Sequence, residues 1–541
     1  MNSKSVLILG AGLMQKPAIL AAKSLNLKTF VIDADKNAVC VPLADHFECI
    51  DLKDKDSIYN YAKELKSTEN LSGIFTAGTD FSTSVSYSAQ KLGFSCHSYE
   101  STLNASIKTR MRKCFADSGV PSPEFFSFSG NEITQARVLY ATETLGYPCV
   151  VKPVDNMGAR GCRMIRCWTE SYNAACIAAE NSRTSTIIIE KYMDGPEFSI
   201  DAIVYKNTLT ITGFADRHIF YPPYFIETGH TMPSKVKKSI KNELIATFAS
   251  GIKALGLSCG VAKADIKYTK NGPQIGEIAA RLSGGYMSGW TYPYASGCNL
   301  TEQALLIACG EEPSWLLEHR IPVEVEQSPF LVFELPCKNV SAERCWLSIP
   351  GKVKEIEGFE NAQKVPFVKD VLPRNIKKGD MVDFPRNNVQ KCGNVISLAQ
   401  SFEKAEGAAQ KAVSNVLIRL EPNNPETENF LSSKQNPDEK DFPPNAFELF
   451  KELKKYELSG FIEKNASVLE NLPMDFVELL KSTKSDWSYM NAYEAARRFD
   501  LLMPCHPIME KKRFWSALLK GGLQAAIYVS DSYAENELGK K

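Results

Sequence analysis

The sequence predicts a multidomain protein of mixed α/β and α+β class. Its 541 residues indicate three or four domains, at roughly 150 residues per domain. Within residues 1–103, short β-rich runs alternate with helical stretches. This alternation is typical of a parallel sheet wrapped by helices. From Tyr147 to about Glu334, strands become frequent and are separated by glycine-rich turns. That second pattern indicates an α+β arrangement.

The first predicted domain covers residues 1–103. Gly10 and Gly12 follow its first β-rich run, and Asp33 ends the second, as in a dinucleotide site. The third glycine of such a site is absent, and Gln15 stands in its place. We therefore interpret both glycines as a tight strand-to-helix turn. The predicted β-rich runs are 6–9, 29–32 and 73–77, and the predicted helical stretches are 18–25 and 57–65.

The second predicted domain covers residues 104–320 and includes a lid at about 120–190. It begins with a basic helix that carries Lys108 and ends before Pro121. A strand that ends in Lys152 is followed at once by a glycine loop. Backbone N–H groups of such a loop can cradle phosphate oxygens while an ammonium group neutralises them. The motif is a candidate polyphosphate site, and a glycine-rich surface turn is the alternative.

A third motif is a strand that leads into Glu190 and Lys191. A second acid, Glu197, follows seven residues after Glu190. Such a segment can offer adenine an acceptor and two backbone groups, and it can offer ribose a carboxylate. Taken alone, an exposed edge strand with solvated charges explains these residues more simply.

The most informative motif is a predicted β-hairpin whose turn is Lys270-Asn-Gly-Pro273. Its geometry can place Asp265 and Glu277 side by side on adjacent strands. Two buried carboxylates repel each other, so the pair favours a divalent cation between them, and oxygen ligands favour magnesium or manganese. Arg281, four residues later, has the bidentate fork to hold a phosphoryl group. Apolar neighbours along both strands favour this metal site over a salt-bridged surface hairpin.

The C-terminal part divides into three segments. Residues 321–420 form a mixed region that closes on a helix with Ala and Val at helical spacing. Residues 421–444 are rich in Pro, Asn and Glu and predict a linker, because they cannot bury a core. Residues 445–541 carry Leu, Phe and Ile at spacings of three and four, which predicts a helical extension. A chain that stops near Glu421 is therefore expected to fold.

Charge and cysteine content argue against several classes of protein. Lys plus Arg (63) equals Asp plus Glu (63), so there is no basic excess to bind nucleic acid or an anionic membrane. The 15 cysteines form no C-x-x-C pair, which argues against structural zinc. No apolar run approaches the roughly 20 residues of a spanning helix. We expect a cytoplasmic protein with no nucleic-acid or membrane partner.

Together, in this order and spacing, the motifs resemble those of the ATP-grasp superfamily over about residues 1–420. The resemblance is closest to the branch of L-amino acid ligases, with biotin-carboxylase-like and carbamoyl-phosphate-synthetase-like enzymes as neighbours. It implies an ATP-grasp fold with an N-terminal Rossmann-like pre-ATP-grasp domain, a lid, a catalytic domain and a C-terminal capping region. It also implies ATP and Mg²⁺ (or Mn²⁺) as cofactors, with a homodimer as a possible assembly.

The resemblance also assigns roles to individual residues. The two lysines contact the ATP phosphates, the loop from Asn156 to Gly161 closes over them, and the Glu-Lys-Tyr-Met segment holds adenine. The implied ATP-binding residues are Lys108, Lys152, Gly158, Arg160, Gly161, Glu190, Lys191, Met193 and Glu197. The implied metal ligands are Asp265 and Glu277, and the implied catalytic residues are Arg281 and His230. An ordinary loop histidine is the alternative for His230.

The implied reaction joins a small carboxylate, most simply an amino acid, to a small amine through an acyl phosphate. Many relatives carry Asn where this chain has Ala279, which puts full binding of a second cation in doubt. A bicarbonate-activating enzyme and a catalytically weak ATP-binding regulator remain alternatives. A nicotinamide-dependent oxidoreductase would leave the carboxylate hairpin unexplained. Four aromatic residues are expected to line a pocket for a small side chain: Tyr286, Trp290, Tyr292 and Tyr294.

Overall fold

A computed structural model describes residues 4–432, 442–449, 455–456 and 458–538. The chain divides into two compact units. The first unit consists of residues 1–218, 230–342 and 398–402, and the second consists of residues 219–229, 343–397 and 403–541. Among the residues described, no helix is both long and apolar enough to cross a bilayer.

The first unit begins with a four-stranded parallel sheet in the order β3-β2-β1-β4. The predicted alternation of strands and helices is confirmed. The strands are β1 Ser5–Leu9, β2 Lys28–Asp33, β3 His46–Cys49 and β4 Leu71–Phe75. The helices are α1 Lys16–Ser24, α2 Lys55–Thr68, α3 Ser82–Leu92 and α4 Tyr99–Ser106.

The glycine turn after β1 is closed by contacts within the protein. The Asp33 carboxylate accepts the backbone N–H of Ala11 at 2.7 Å. Gln15 is fully buried, and its side-chain oxygen accepts the backbone N–H of Ala77 at 3.1 Å. These contacts support the interpretation of Gly10 and Gly12 as a structural turn.

A small antiparallel sheet follows in the order β5-β8-β6-β7. Helix α5, Lys108–Asp117, leads into it and ends before Gly119, whose φ of 66° is left-handed. The strands are β5 Phe125–Ser129, β6 Cys149–Pro153, β7 Arg163–Ile165 and β8 Thr186–Lys191, and the helices are α6 Gln135–Leu145 and α7 Trp168–Glu180.

The rest of the first unit is built on strands in the order β13-β12-β9-β10-β11. A short helical segment, Met287–Thr291, has π geometry. The strands are β9 Glu197–Tyr205, β10 Thr208–Phe220, β11 Ile226–Met232, β12 Gly260–Thr269, β13 Gly272–Ala279, β14 Ile321–Pro322 and β15 Leu331–Glu334. The helices are α8 Lys238–Leu255, α9 Tyr292–Ser296, α10 Leu300–Ala308 and α11 Ser314–His319.

One face of this sheet is polar because strand side chains alternate between faces. Glu197 and Asp201 of β9 lie opposite Lys267 and Lys263 of β12. Asp265 lies between the two lysines, on the same face. The opposite face packs against α8 through a cluster of aliphatic and aromatic residues. The sheet therefore presents its charges along one surface and buries the other.

The second unit contains strands β16, β20 and β18 as neighbours in that order, and a smaller sheet in the order β19-β17-β21. The strands are β16 Val340–Trp346, β17 Gly351–Glu357, β18 Val368–Pro373, β19 Met381–Val382, β20 Gly393–Ala399, β21 Leu417–Leu420, β22 Phe461–Ile462 and β23 Met509–Glu510. The helices are α12 Phe359–Gln363, α13 Phe402–Asn415, α14 Pro425–Ser432, α15 Met474–Ser482, α16 Ala492–Leu502 and α17 Lys511–Leu538.

The prediction of a linker over residues 421–444 is wrong for residues 425–432, which form α14. Its Phe430 is buried, and the Thr427 hydroxyl donates to the carbonyl oxygen of Pro350 at 2.8 Å. Glu428 accepts from Arg513 and from Tyr528 of α17. Two buried side chains and these contacts hold the helix despite its polar composition. Residues 433–441 of the predicted linker lie outside the described residues.

The C-terminal helices belong to the core of the second unit. Tyr528 of α17 packs in one hydrophobic cluster with Trp346 and Phe384. Arg419 at the end of the mixed region forms an ion pair with Asp531 at 2.6 Å. The expectation that a chain stopped near Glu421 would fold is therefore not supported, because the removed residues fill that core.

A buried carboxylate in the second unit predicts a pH-dependent stability. Asp486 is buried, which raises its pKa to about 7, and among the described residues no donor reaches its Oδ2. Because the native state holds this proton more tightly than the unfolded chain, the free energy of unfolding should fall as the pH rises from about 4 to about 7.

Asp486→Asn should remove this pH dependence of the free energy of unfolding. At pH 8 the variant should unfold with a free energy about 1–3 kcal/mol higher than the parent, because a shift of one pKa unit corresponds to about 1.4 kcal/mol. Urea unfolding of the parent and the variant at pH 5 and pH 8 measures the difference. A variant that is less stable than the parent at pH 8 would contradict the expectation.

Candidate active site

Two carboxylates meet in register on adjacent strands, as the sequence predicts. Asp265 of β12 pairs with Glu277 of β13. The next pair toward the hairpin turn is Ile266 with Ile275, so Gly276 is an extra residue in β13. Regular pairing would place Asp265 opposite Gly276 and turn Glu277 to the other face of the sheet. The bulge therefore brings both carboxylates to the same face.

The Glu277 carboxylate is surrounded by cations, and none of those in the described part of the chain is hydrogen-bonded to it. Its nearest ammonium group, that of Lys108, lies 3.6 Å away. Burial acts to raise the pKa of Glu277, but Lys108, followed by Lys263, Lys152 and Arg281, lowers it to about 2. The side chain is 34% exposed. Glu277 thus stays ionised with its oxygens available.

The Asp265 carboxylate is held by two cations of the same face. Arg217 lies 2.6 Å from its Oδ1, and the Lys263 ammonium contacts its Oδ2. Lys263 lies opposite Ala279 in the register of the hairpin. A second metal ion would have to compete with this lysine, since position 279 offers no ligand atom.

These carboxylates fit a divalent cation. They supply hard oxygen ligands on one face, and Glu277 remains charged with no hydrogen-bond donor on its carboxylate among the residues described. Asp265 and Glu277 are the residues that would hold Mg²⁺ or Mn²⁺.

The lysine at the end of β6 is tied to an acid of the neighbouring strand. The Lys152 ammonium lies 2.7 Å from Glu190 Oε2, and Arg112 of α5 contacts Glu190 Oε1 at 2.8 Å. Glu190 is 3% exposed. Burial acts to raise the pKa of Glu190, but Arg112 and Lys152 outweigh it and lower the pKa. The carboxylate is therefore a counter-ion for two cations, and the expected adenine contact through this side chain is not supported.

The glycine loop after β6 is anchored at its base and open at its tip. Asp155 accepts the backbone N–H groups of Arg183 and Thr184, both at 3.0 Å. The Lys108 ammonium donates to the carbonyl oxygen of Asn156 at 3.3 Å, which ties α5 to the loop. Arg160 is exposed. The left-handed residues of the loop are Gly158, Ala159 and Gly161.

The segment after β8 places the remaining predicted nucleotide residues. Lys191 is exposed, and its backbone N–H donates to the carbonyl oxygen of Glu124 at 3.0 Å. Met193 is half-buried beside Gly276 of the bulge. The Glu197 carboxylate contacts Arg217 at 2.6 Å and Lys267 at 3.5 Å. Ribose binding by Glu197 stays a prediction, and it would require sharing this carboxylate with the two cations.

Arg281 is held by the N-terminal sheet. Its Nε and Nη2 atoms both donate to Asp80 Oδ1 at 3.1 Å. The turn that follows is fixed by Asp201, whose Oδ2 accepts the backbone N–H of Ser283 at 3.0 Å and its hydroxyl at 2.7 Å. Burial raises the pKa of Asp201 to about 6. The guanidinium group is thus oriented by Asp80, and the turn that follows it by Asp201 of β9.

His230 lies in β11 and is fully buried, with its Nε2 2.7 Å from the Thr291 hydroxyl. This burial does not support direct contact with a substrate.

The predicted aromatic pocket is wrong for Tyr292, which is also fully buried. Its ring lies so close to Gly213 that a Cβ there would be 2.3 Å away. Tyr286 and Trp290 stack edge to face at 5.2 Å.

The sequence analysis did not identify several residues that lie in the site. Lys263 could have been found, because polar residues alternate along β12 in the sequence, whereas Arg217 of β10 stands between Asp216 and His218 and shows no such alternation. Asp80 follows the carboxyl end of β4, where parallel sheets commonly carry functional side chains. Gly276 inside a strand is itself a signal for a bulge. Arg112 has no local signal beyond its position four residues after Lys108.

Comparison with known proteins identifies two domains. Residues 145–289 match the model of the ATP-grasp domain, and residues 345–421 match that of the L-amino acid ligase C-terminal domain 2. The uncharacterized protein y4rH of Sinorhizobium fredii is 21% identical over 408 residues, which cover 74% of this chain and 80% of that protein. Human carnosine synthase 1 is 21% identical over 341 residues, 58% of this chain and 40% of that enzyme.

The fold is shared with solved structures. The L-amino acid ligase of Bacillus licheniformis superposes with a TM-score of 0.65 at 18% identity, covering 78% of this chain and all of that one. At this identity the likeness shows the fold alone. The domain matches and the fold agree: the chain contains an ATP-grasp domain and an L-amino acid ligase C-terminal domain 2, within a fold that it shares with an L-amino acid ligase.

Proposed function

We propose that the protein is an ATP-dependent carboxylate–amine ligase that activates an amino acid as an acyl phosphate and couples it to a second small amine. The observation that carries this proposal is the in-register pair of carboxylates, Asp265 and Glu277, beside Lys108 and Arg281. This arrangement suits transfer of a phosphoryl group, which depends on positioning and charge more than on covalent catalysis. The L-amino acid ligase C-terminal domain favours an amino acid as the acid.

In the proposed first step, a carboxylate oxygen of the amino acid attacks the γ-phosphorus of ATP. The bond from that phosphorus to the bridging oxygen breaks, and ADP leaves with the electron pair. Lys108 and Lys152 neutralise phosphate oxygens, and the Arg281 fork offsets charge on the transferring group. Magnesium, when bound by Asp265 and Glu277, neutralises charge on the phosphates.

In the proposed second step, the amine nitrogen attacks the carbonyl carbon of the acyl phosphate. The carbon–oxygen bond to phosphate breaks, phosphate leaves with the electron pair, and the nitrogen passes one proton to the departing phosphate. The glycine loop from Asn156 to Gly161 keeps water from the acyl phosphate when it closes. All fifteen cysteines are free, which supports a cytoplasmic location as part of the proposal.

The test measures ADP and phosphate release across a panel of amino acids and small carboxylic acids, with and without a second amine. We expect a free amino acid to stimulate ADP formation, and hydroxylamine to trap the acyl phosphate as a hydroxamate. Bicarbonate alone driving ADP release, with no hydroxamate from any amino acid, would contradict the proposal. ATP binding without turnover under all conditions would indicate a regulatory protein instead.

A further inference from the structure

Arg112 links the two halves of the candidate site. It lies on α5 four residues after Lys108, so both side chains project from one side of the helix. Its guanidinium group is fully buried. The Nε and Nη2 atoms lie 2.9 and 2.8 Å from Glu190 Oε1, and Nη2 donates to the carbonyl oxygen of Gly276 at 2.7 Å.

The Gly276 carbonyl belongs to the bulge that aligns the metal-binding carboxylates. An extra residue in a strand interrupts the regular ladder of hydrogen bonds, and a carbonyl that loses its partner in the ladder needs a donor from elsewhere. Arg112 supplies that donor. Space at the bulge is limited, because a Cβ on Gly276 would lie 3.1 Å from the Asp265 carbonyl oxygen.

We propose that Arg112 is a positioning residue, which holds the bulge at Gly276 and thereby keeps Asp265 and Glu277 on one face of the sheet. Its second partner, Glu190, is also the counter-ion of Lys152. One guanidinium group therefore fixes the phosphate-binding lysine relative to the metal-binding hairpin. This inference rests on the proposed function for its activity readout and deepens it by naming the residue that orders the metal site.

The chemistry of this position requires arginine. A guanidinium group presents several donors in a rigid plane and can serve a carboxylate and a carbonyl together. Lysine has a single nitrogen at the end of a flexible chain, so it can keep the charge beside Glu190 but not both contacts in the same geometry. Arg112→Lys therefore separates the bridging contact from the charge.

The test compares Arg112→Lys with Arg110→Lys on the same helix. Arg110 is partly exposed and pairs with the exposed Glu100. We expect R112K to raise the Mg²⁺ concentration for half-maximal ADP formation by about 10- to 100-fold, as loss of a group that orients metal ligands typically does. R110K should match the parent. A folded R112K protein with a Mg²⁺ requirement within twofold of R110K would overturn the proposal.

Two further measurements keep the inference testable. If R112K does not fold, Gly276→Ala tests the bulge directly, since it changes the extra residue whose carbonyl Arg112 contacts. This variant should also raise the Mg²⁺ concentration for half-maximal ADP formation. An unchanged Mg²⁺ requirement would overturn the proposal. If the parent forms no ADP with any acid, the proposed function fails. Calorimetry of ATP binding with and without Mg²⁺ then tests Arg112 by itself. R112K should lose most of the Mg²⁺-dependent gain in ATP affinity, and retention of the full gain would overturn the inference.

Discussion

Glu277→Gln should lower the rate of ADP formation by about 10²- to 10³-fold, the range that loss of one preorganised charge-stabilising group costs. The substitution keeps the volume of the side chain and removes its charge. Lys108 then loses the carboxylate that lies 3.6 Å from its ammonium group. Because the amide is a weaker ligand for a hard cation, the residual activity should require more Mg²⁺. Steady-state rates across a Mg²⁺ titration measure both effects.

Glu100→Gln is a matched control for this variant. It makes the same chemical change on a carboxylate that is 68% exposed and pairs with Arg110 on the surface of α5. Its rates should equal those of the parent. If a folded Glu277→Gln protein had magnesium-dependent rates close to those of the parent, Glu277 would not be a metal ligand.

A chain that ends after Glu421 should not yield soluble, folded protein. The deleted residues include Phe514 and Trp515, which are fully buried, and Tyr528, which packs against Trp346 of the retained part. Removing them exposes the apolar face that they cover and leaves Arg419 without Asp531. The soluble fraction after expression and gel filtration of that fraction measure the outcome.

Point variants test the same core without deletion. Trp515→Ala should lower the free energy of unfolding by about 3–5 kcal/mol, the usual range for a large buried aromatic side chain. Leu538→Ala, at the far end of the same segment beyond the break at Gly521 and Gly522, removes a side chain of a residue that is 72% exposed and should change it little. A truncated chain that is monodisperse and binds ATP would show that the C-terminal helices are dispensable for folding.

Local pattern was enough to predict most of the architecture. The alternation of the first four strands and the hairpin of β12 and β13 follow from hydrophobic periodicity and turn residues, which depend on neighbours a few positions away. The pairing of Asp265 with Glu277 depends in addition on the bulge at Gly276. The same local rule failed for residues 425–432. Their average composition is polar, but a helix needs only a narrow buried stripe, and Phe430 with Thr427 supplies it.

The sequence by itself determined the order of the elements, the presence of the two acids on one predicted hairpin and the lysine at the end of β6. Only the tertiary structure decided which charges those residues meet. Arg112 reaches Glu190 across 78 positions and Gly276 across 164, and Arg281 reaches Asp80 across 201. Such contacts leave no periodic trace, because they depend on how distant strands and helices pack. The same packing buried Tyr292, whose spacing from other aromatic residues had suggested a pocket, and His230, which the family resemblance had implied as a catalytic residue. Burial is set by the residues that fold over a side chain and not by its neighbours in sequence.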